Sequence, residues 1–278
     1  EMCIRDRLCF LCSGFLLQRC NVINPKETVP TYIHIDSFHT ENNFSARITA
    51  VWVYYNNGSV GVFDLPATIP VKAEGSGVLQ VAPGIAVNGQ NSTMSVYPFY
   101  TIDTFTFTAQ PGAIITHIPQ TKYYSSAKIT TLSDFEFGTN FSVWKGNRFV
   151  EPVGSDSLTF DGNFSGEIRL LAVGDSSVDS CLTSFAIPNG QPAFIELNYK
   201  STVPFYLGLQ PKEGSLTMDP YFITGIKPSD QWQKFYFNLQ AFATKYQATK
   251  YYFYIKTNLA DGQSSGRLLL DNIKLVTF

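Results

Sequence analysis

The stretch AVWVYYNNGSVGVFDL, Ala50 to Leu65, decides the class of fold. Two runs rich in Val, Tyr, Phe and Trp flank Asn56-Asn57-Gly58. Such side chains fit a pleated, half-buried surface. An Asn-Gly pair between them is a strong hairpin signal, because both central residues of a type I′ turn need φ > 0. The pattern predicts strands over Arg47–Tyr55 and Ser59–Leu65, turning on the Asn-Gly pair.

Working outward, a strand over Thr31–Phe38 precedes this hairpin, and strands over Val78–Ala82, Thr93–Tyr97, Thr101–Thr108 and Ala113–His117 follow it. Together they form a small immunoglobulin-like sandwich over 31–121, followed by a linker over 122–131. A second unit, 132–278, carries strands over Ser157–Phe160, Gly166–Val173, Ala193–Lys200, Phe205–Gln210, Trp232–Leu239, Tyr251–Thr257 and Arg267–Val276. Alternation is clearest in Phe194–Tyr199 and Tyr251–Ile255, where one face of each strand must be covered. Short strands with long connections predict a jelly roll. No helical period persists, and Leu239–Thr249 reads as a loop or one short helical turn. The fold class is therefore all-β, with two consecutive β-sandwiches.

Composition agrees: aromatic residues make up 15% of the chain and charged residues 15%, with 20 glycines and 15 prolines to supply turns. A net charge of −2 argues against a nucleic-acid partner, which needs a basic face to neutralise phosphates.

The beginning of the chain reads as an export segment over 1–19. The apolar run Leu8–Leu17 would cover about 15 Å as a helix, roughly half the hydrocarbon thickness of a bilayer, and so has the dimensions of a signal peptide. Glu1–Arg7 resembles the translation of a sequencing adaptor and is excluded from the fold reading. Leu17-Gln18-Arg19-Cys20 resembles the lipobox of bacterial lipoproteins, although Arg19 stands where that pattern has a small residue. The resemblance implies that Cys20 is acylated and that residues 20–30 tether the protein to a membrane of the cell envelope, as in an outer-membrane lipoprotein. Buried acyl methylenes contribute about 0.8 kcal/mol each, so more than one chain anchors stably without a spanning helix. Cys3, Cys9 and Cys12 fall in the export segment, which leaves Cys181 without a disulfide partner and reads it as a small buried strand residue.

The first unit, through the Trp52-to-Leu65 hairpin, Leu65-Pro66-Ala67-Thr68-Ile69-Pro70-Val71 and Val78–Gly84, resembles the PEGA-type and transthyretin-like domains of bacterial surface proteins. Together with Cys20, the strand Tyr32–Asp36 resembles surface lipoproteins of Bacteroidetes. In the second unit, Asp134-Phe135-Glu136, Gln231–Leu239 and Leu268-Leu269-Leu270-Asp271-Asn272-Ile273-Lys274-Leu275 resemble the jelly-roll carbohydrate-binding modules. That resemblance implies a structural calcium held between Glu136 and Asp271, a role suited to a hard cation with oxygen ligands. The residues by themselves read instead as Asp271 bonding a turn and Glu136 facing water.

Sugar binding needs an exposed aromatic platform, because a pyranose face stacks on a ring while nearby polar groups read its hydroxyls. The candidates are Tyr252, Tyr254, Trp144 and Tyr206, with Tyr221 and Phe222 behind them. Tyr252 and Tyr254, two apart on one strand face, are the first choice, and Trp232 reads as packing. Enzymatic patterns are weak. His34, Asp36 and His39 are read as solvated edge-strand residues, and Gly162-Asn163-Phe164-Ser165-Gly166 places its serine one position late for a nucleophile elbow. Two non-catalytic roles remain: a membrane-anchored lipoprotein that binds a glycan or surface polymer, or a structural or adhesion lipoprotein that contacts other proteins.

Overall fold

A computed structural model of the chain describes residues 28–90, 92–214 and 216–278. Cys20, the export segment and most of the tether lie outside the described residues. The first unit contains β1 (Thr31–Ile35), β2 (His39–Thr40), β3 (Ala50–Tyr55), β4 (Gly58–Asp64), β5 (Ala67–Val71), β6 (Ser76–Ala86), β7 (Met94–Val96), β8 (Asp103–Thr108), β9 (Ile114–Thr116) and β10 (Gln120–Thr121). A three-stranded sheet, β5-β1-β9, faces a five-stranded one in which β6 pairs with β3, β7 and β8. Period-2 alternation builds the core between them: Ile33 and Ile35 of β1, Ile69 and Val71 of β5, Val51 and Val53 of β3, and Leu79 and Val81 of β6 all point inward.

The hairpin β3–β4 forms as expected, but its turn lies one residue earlier than the Asn-Gly pair. Asn56 and Asn57 hold the two positive φ angles, 46° and 66°, and Gly58 already opposes Tyr55 in the ladder. Asn tolerates this left-handed region. The reason for the choice is tertiary: Asn56 exchanges bonds with the neighbouring strand, its side-chain oxygen accepting from the Val78 N–H at 2.9 Å and its own N–H donating to the Val78 carbonyl at 2.9 Å.

The second unit contains β11 (Lys128–Ser133), β12 (Phe141–Gly146), β13 (Glu151–Val153), β14 (Ser165–Leu170), β15 (Ser176–Cys181), β16 (Ala193–Ser201), β17 (Phe205–Glu213), β18 (Leu216–Thr217), β19 (Tyr221–Ile226), β20 (Ser229–Asn238), α1 (Gln240–Tyr246), β21 (Lys250–Asn258) and β22 (Gly266–Thr277). They form two six-stranded sheets. One runs β13-β14-β22-β16-β20 with β11 on β22, and the other runs β12-β15-β21-β17-β18 with β19 on β17. The inner faces make one core, with Leu170, Ile195, Leu197, Phe237, Leu268 and Leu270 from the first sheet against Phe205, Leu207, Leu209, Phe253 and Ile255 from the second.

Three local expectations are corrected. Lys128–Thr131 is strand rather than linker, because it pairs along the end of β22 from Lys128 against Thr277. Ser157–Phe160 is a turn, in which the N–H groups of Leu158 and Thr159 both bond to the Ser155 carbonyl at 2.8 and 2.9 Å. Strands β12, β13, β15 and β19 were not anticipated. In β15, Ser176-Ser177-Val178-Asp179-Ser180-Cys181 carries too few apolar residues to show the pattern.

The first unit covers the outer face of the β13-β14-β22-β16-β20 sheet. Ile85, Tyr97, Phe99 and Tyr100 pack on Phe194, Tyr236 and Val276, so the apolar cluster crosses between the units. Within it Glu196, fully buried, is paired with Lys234 at 2.8 Å and accepts hydrogen bonds from the hydroxyls of Tyr97 at 2.5 Å and Tyr123 at 2.8 Å. Desolvation, followed by the Glu196 charge, raises the pKa of Tyr97 and Tyr100 well above the usual phenol range, so both remain hydroxyl donors. With that face covered, the other sheet presents the second unit's uncovered outer face.

Candidate ligand-binding face

The β12-β15-β21-β17-β19 sheet assembles an aromatic surface by alternation. Tyr251, Phe253 and Ile255 of β21 enter the core, so Tyr252, Tyr254 and Lys256 face outward. Register carries the same face across the sheet. Tyr252 opposes Gln210, Tyr254 opposes both Gly208 and Ser180, Lys256 opposes Tyr206, and Phe222 opposes Gly208. Trp144 joins at the far strand, where a register shift between Val143 and Lys145 turns its ring edge-on to Tyr254, with centroids 5.9 Å apart.

The aromatic residues divide by role. Trp144 is 44% exposed and Tyr206 40%, enough to offer ring surface to a ligand. Tyr252 is half-buried, with Lys212 Nζ 5.8 Å from its ring centre. Lys256 lies between Tyr206 and Phe222, 5.8 and 5.4 Å from their centres, contacts of the cation–π kind. Tyr254 is only 3% exposed, and its hydroxyl donates to Gln210 Oε1 at 2.9 Å. Gln210 in turn donates to the Met218 carbonyl at 2.6 Å. Tyr254 thus forms the floor that supports Trp144 rather than a platform of its own.

Tyr221 faces the other way, since it opposes the core residue Leu209 and packs against Tyr246 and Phe242 near α1. Trp232 packs on Phe160 at 5.3 Å. Sequence reasoning did not single out Lys256, Gln210 and Lys212. Each continues a period of two from a named aromatic, Tyr254 or Tyr206, so the signal was present.

Glu136 and Asp271 converge on one loop, Phe160–Ser165. Phe135, at a φ of 62°, buries its ring against the strand at Gly166, where any added Cβ would come within 2.4 Å of that ring. This left-handed step presents Glu136 to the loop, where it accepts from the N–H groups of Asn163 at 2.7 Å and Phe164 at 2.9 Å and from the Asn163 side chain at 3.1 Å. These bonds, the Phe164 one foremost, hold its carboxyl below the usual range. Gly162 passes so close above that a Cβ there would stand 2.3 Å from Oε1.

Asp271 is buried and accepts from the Ser165 hydroxyl at 2.6 Å, the Asn272 N–H at 2.6 Å and the Asp161 N–H at 3.3 Å. Burial raises its pKa, opposed by the Ser165 bond. A calcium ion takes six to eight oxygen ligands. Here N–H and O–H donors engage the carboxylate oxygens, and among the described residues no group of three or more His, Cys, Asp and Glu is arranged to hold a metal. The donor set fits a hydrogen-bonded clamp rather than a calcium shell.

The histidines stand apart in chemistry. His34 Nδ1 lies 3.0 Å from Thr68 Oγ1 across the β1–β5 pair, whereas His117 pairs with Asp103 at 2.7 Å and stacks on Phe105. Cys181 ends β15 inside the core, where burial pushes its thiol up to about 11, far from the thiolate a nucleophile requires. Asp175 ties two loops together. It accepts from the N–H groups of Leu171 and Ala172 and from the Asn147 and Arg148 side chains, which lowers its pKa to about 2, the Leu171 bond leading.

No protein-family model and no curated protein matches the chain. Among solved structures it is similar to the family 11 carbohydrate-binding module of a cellulosomal cellulase of Clostridium thermocellum, with 15% identity, 55% of this chain and 97% of that one covered, and a TM-score of 0.37. It is similar also to the family 30 carbohydrate-binding module of another cellulosomal cellulase of that organism, with 10% identity, coverage of 53% and 96%, and a TM-score of 0.40. A third is a xylan-binding domain from Paenibacillus barcinonensis, with 14% identity, coverage of 52% and 98%, and a TM-score of 0.38.

Proposed function

We propose that the protein is a non-catalytic binding protein that captures a glycan or surface polymer on the open sheet face of its second unit. The observation that carries this reading is the convergence of Trp144, Tyr206, Tyr252 and Phe222, from four strands, on the outer face that the first unit leaves uncovered. Trp144 and Tyr206 stack on sugar rings, while Lys212, Lys256 and Ser180, on the same face, donate to hydroxyls. Tyr254 and Gln210 keep that face in shape. The same proposal places the protein at the cell envelope, in the outer membrane, held by acylated Cys20. Replacing Cys20 with Ala is expected to release it from the membrane fraction, and retention would count against the anchor.

The test of the binding reading is retention on insoluble polysaccharides and a glycan array, with wild type against Trp144→Ala and Tyr206→Ala. Saturable binding lost in both variants supports it. Binding to neither material leaves the alternative, an adhesion lipoprotein that contacts other proteins.

A further inference from the structure

We propose that the polymer taken by the open sheet face is acidic, a polysaccharide that carries carboxylate or sulfate groups along its chain. The inference rests on the reading of that face as the binding surface and adds the class of ligand. Behind it lies a charge imbalance set out by register. Tyr254, Gln210 and Tyr206 face outward, so Lys250 and Lys256 of β21 and Lys212 of β17 share their side of the sheet. Lys145 of β12 joins them past the register shift, opposing Val178, which in turn opposes Lys256.

No carboxylate on the strands of this sheet balances them. Asp179 lies on the core side of β15. Glu213, at the end of β17, alternates to the face opposite Lys212 and accepts from the Thr249 N–H at 2.8 Å. None of the ion pairs among the described residues includes any of these lysines. The covered sheet differs, since its outward Lys234 and Lys274 stand beside Glu196 and share a cleft with Asp161. Lys212 also directly opposes Lys250 in the β17–β21 ladder. Like charges placed so destabilise a sheet. Folding gains nothing from that pair, whereas an anion bound across it removes the repulsion.

The ammonium groups stand where a stacked sugar carries its substituents. Lys256 Nζ is 5.8 Å from the ring centre of Tyr206 and 5.4 Å from that of Phe222, and Lys212 Nζ is 5.8 Å from that of Tyr252. A pyranose on either tyrosine therefore brings an acid group within reach of a lysine. The Lys212–Lys250 pair and the row of Lys256 and Lys145 are separated by the length of β21 from Lys250 to Lys256, about 20 Å, with Tyr252 and Tyr254 between. Two cationic ends with rings between them match acid groups that recur along a polymer better than one small anion. Lysine is a compact point charge and accepts carboxylate or sulfate alike.

The test is calorimetric titration of the full chain with matched polymers: polygalacturonate against its methyl ester, and dextran sulfate against dextran. At least one charged polymer should bind tenfold or more tighter than its uncharged counterpart, and the pair with the larger ratio identifies the acid group. Raising salt from about 50 to about 500 mM should weaken that binding about tenfold. Trp144→Ala should weaken it at least tenfold too. Lys212→Gln with Lys250→Gln should lower the charged-to-uncharged ratio at least tenfold. Lys250→Glu turns the opposed like charges into an ion pair, so it should lower the ratio without lowering Tm, which separates lost binding from misfolding. Equal binding of charged and uncharged polymers, weakened alike by Trp144→Ala, overturns the acidic class and leaves the open-face reading standing. Charged binding indifferent to Trp144→Ala is ion exchange and overturns the proposal. Absence of saturable binding to all of these polymers overturns both.

Discussion

The two outer faces of the second unit are built by the same alternation and have opposite fates. On the covered sheet, Phe194, Glu196, Asn198, Lys234 and Tyr236 point outward into the first unit and are almost wholly buried. On the open sheet, Tyr206, Tyr252, Lys256 and Trp144 point outward and keep surface. The covered face carries an ion pair, Glu196 with Lys234, that loses its water, and the open one carries rings and lysines that keep theirs. An ion buried without a partner costs several kcal/mol, whereas an exposed aromatic ring costs little. A desolvated ion pair therefore marks the internal interface here, while the open face keeps its lysines and rings in reach of water.

The largest effect should come from breaking the covered face. Glu196→Ala strands Lys234 and removes the acceptor for Tyr97 and Tyr123, and should destabilise the protein by about 3–5 kcal/mol in denaturant titrations. A loss below about 1 kcal/mol would mean that water, not the first unit, covers this face.

Between the faces lies Asp179, buried on the core side of β15 and bonded by the Ser177 hydroxyl. Burial raises its pKa from 3.8 to about 6. A carboxyl raised in the folded state contributes stability that is complete below its unfolded value and is lost as pH rises through the folded one. The protein should therefore gain stability as pH falls from 7.5 to 5 through this group. Asp179→Asn should remove that slope and stabilise at pH 7.5 by on the order of 2–3 kcal/mol. Parallel pH profiles for the two proteins would refute it.

On the open face the comparison predicts binding without stability. Tyr206→Ala or Trp144→Ala should each cost tenfold or more in glycan affinity, about 1.4 kcal/mol, while shifting folding stability by about 1 kcal/mol or less. Variants that unfold as readily as Glu196→Ala would show that the rings are packing. The smallest effect is expected for calcium. Melts in calcium and in chelator should coincide if hydrogen bonds alone hold the Glu136–Asp271 clamp, and a rise in Tm with calcium would install the metal.

Much of the fold was legible locally. Val, Tyr and Phe in alternation announced β3, β4, β16, β17 and β21, and the Asn-rich turn announced a hairpin. The turn's position was not legible, because Asn56 is held by Val78 of another strand. Polar strands such as β15 escaped because their inward residues include Ser177 and Asp179, which no hydrophobic pattern reveals. Of the aromatic candidates, the structure brings Trp144, Tyr206, Tyr252, Tyr254 and Phe222 to one face and sends Tyr221 to the other, a division set by register.

What the sequence by itself determined was the class of fold and the set of residues on each strand face, because side-chain alternation is a local property of the extended backbone. Which polar face becomes buried was decided only in three dimensions. In Phe194-Ile195-Glu196-Leu197-Asn198-Tyr199 both faces are buried, although the pattern reads as one apolar face and one wet one. Glu196 is dry because Tyr97 and Tyr123, 99 and 73 residues away along the chain, close over it, and contacts of that range leave no trace in a strand's own periodicity.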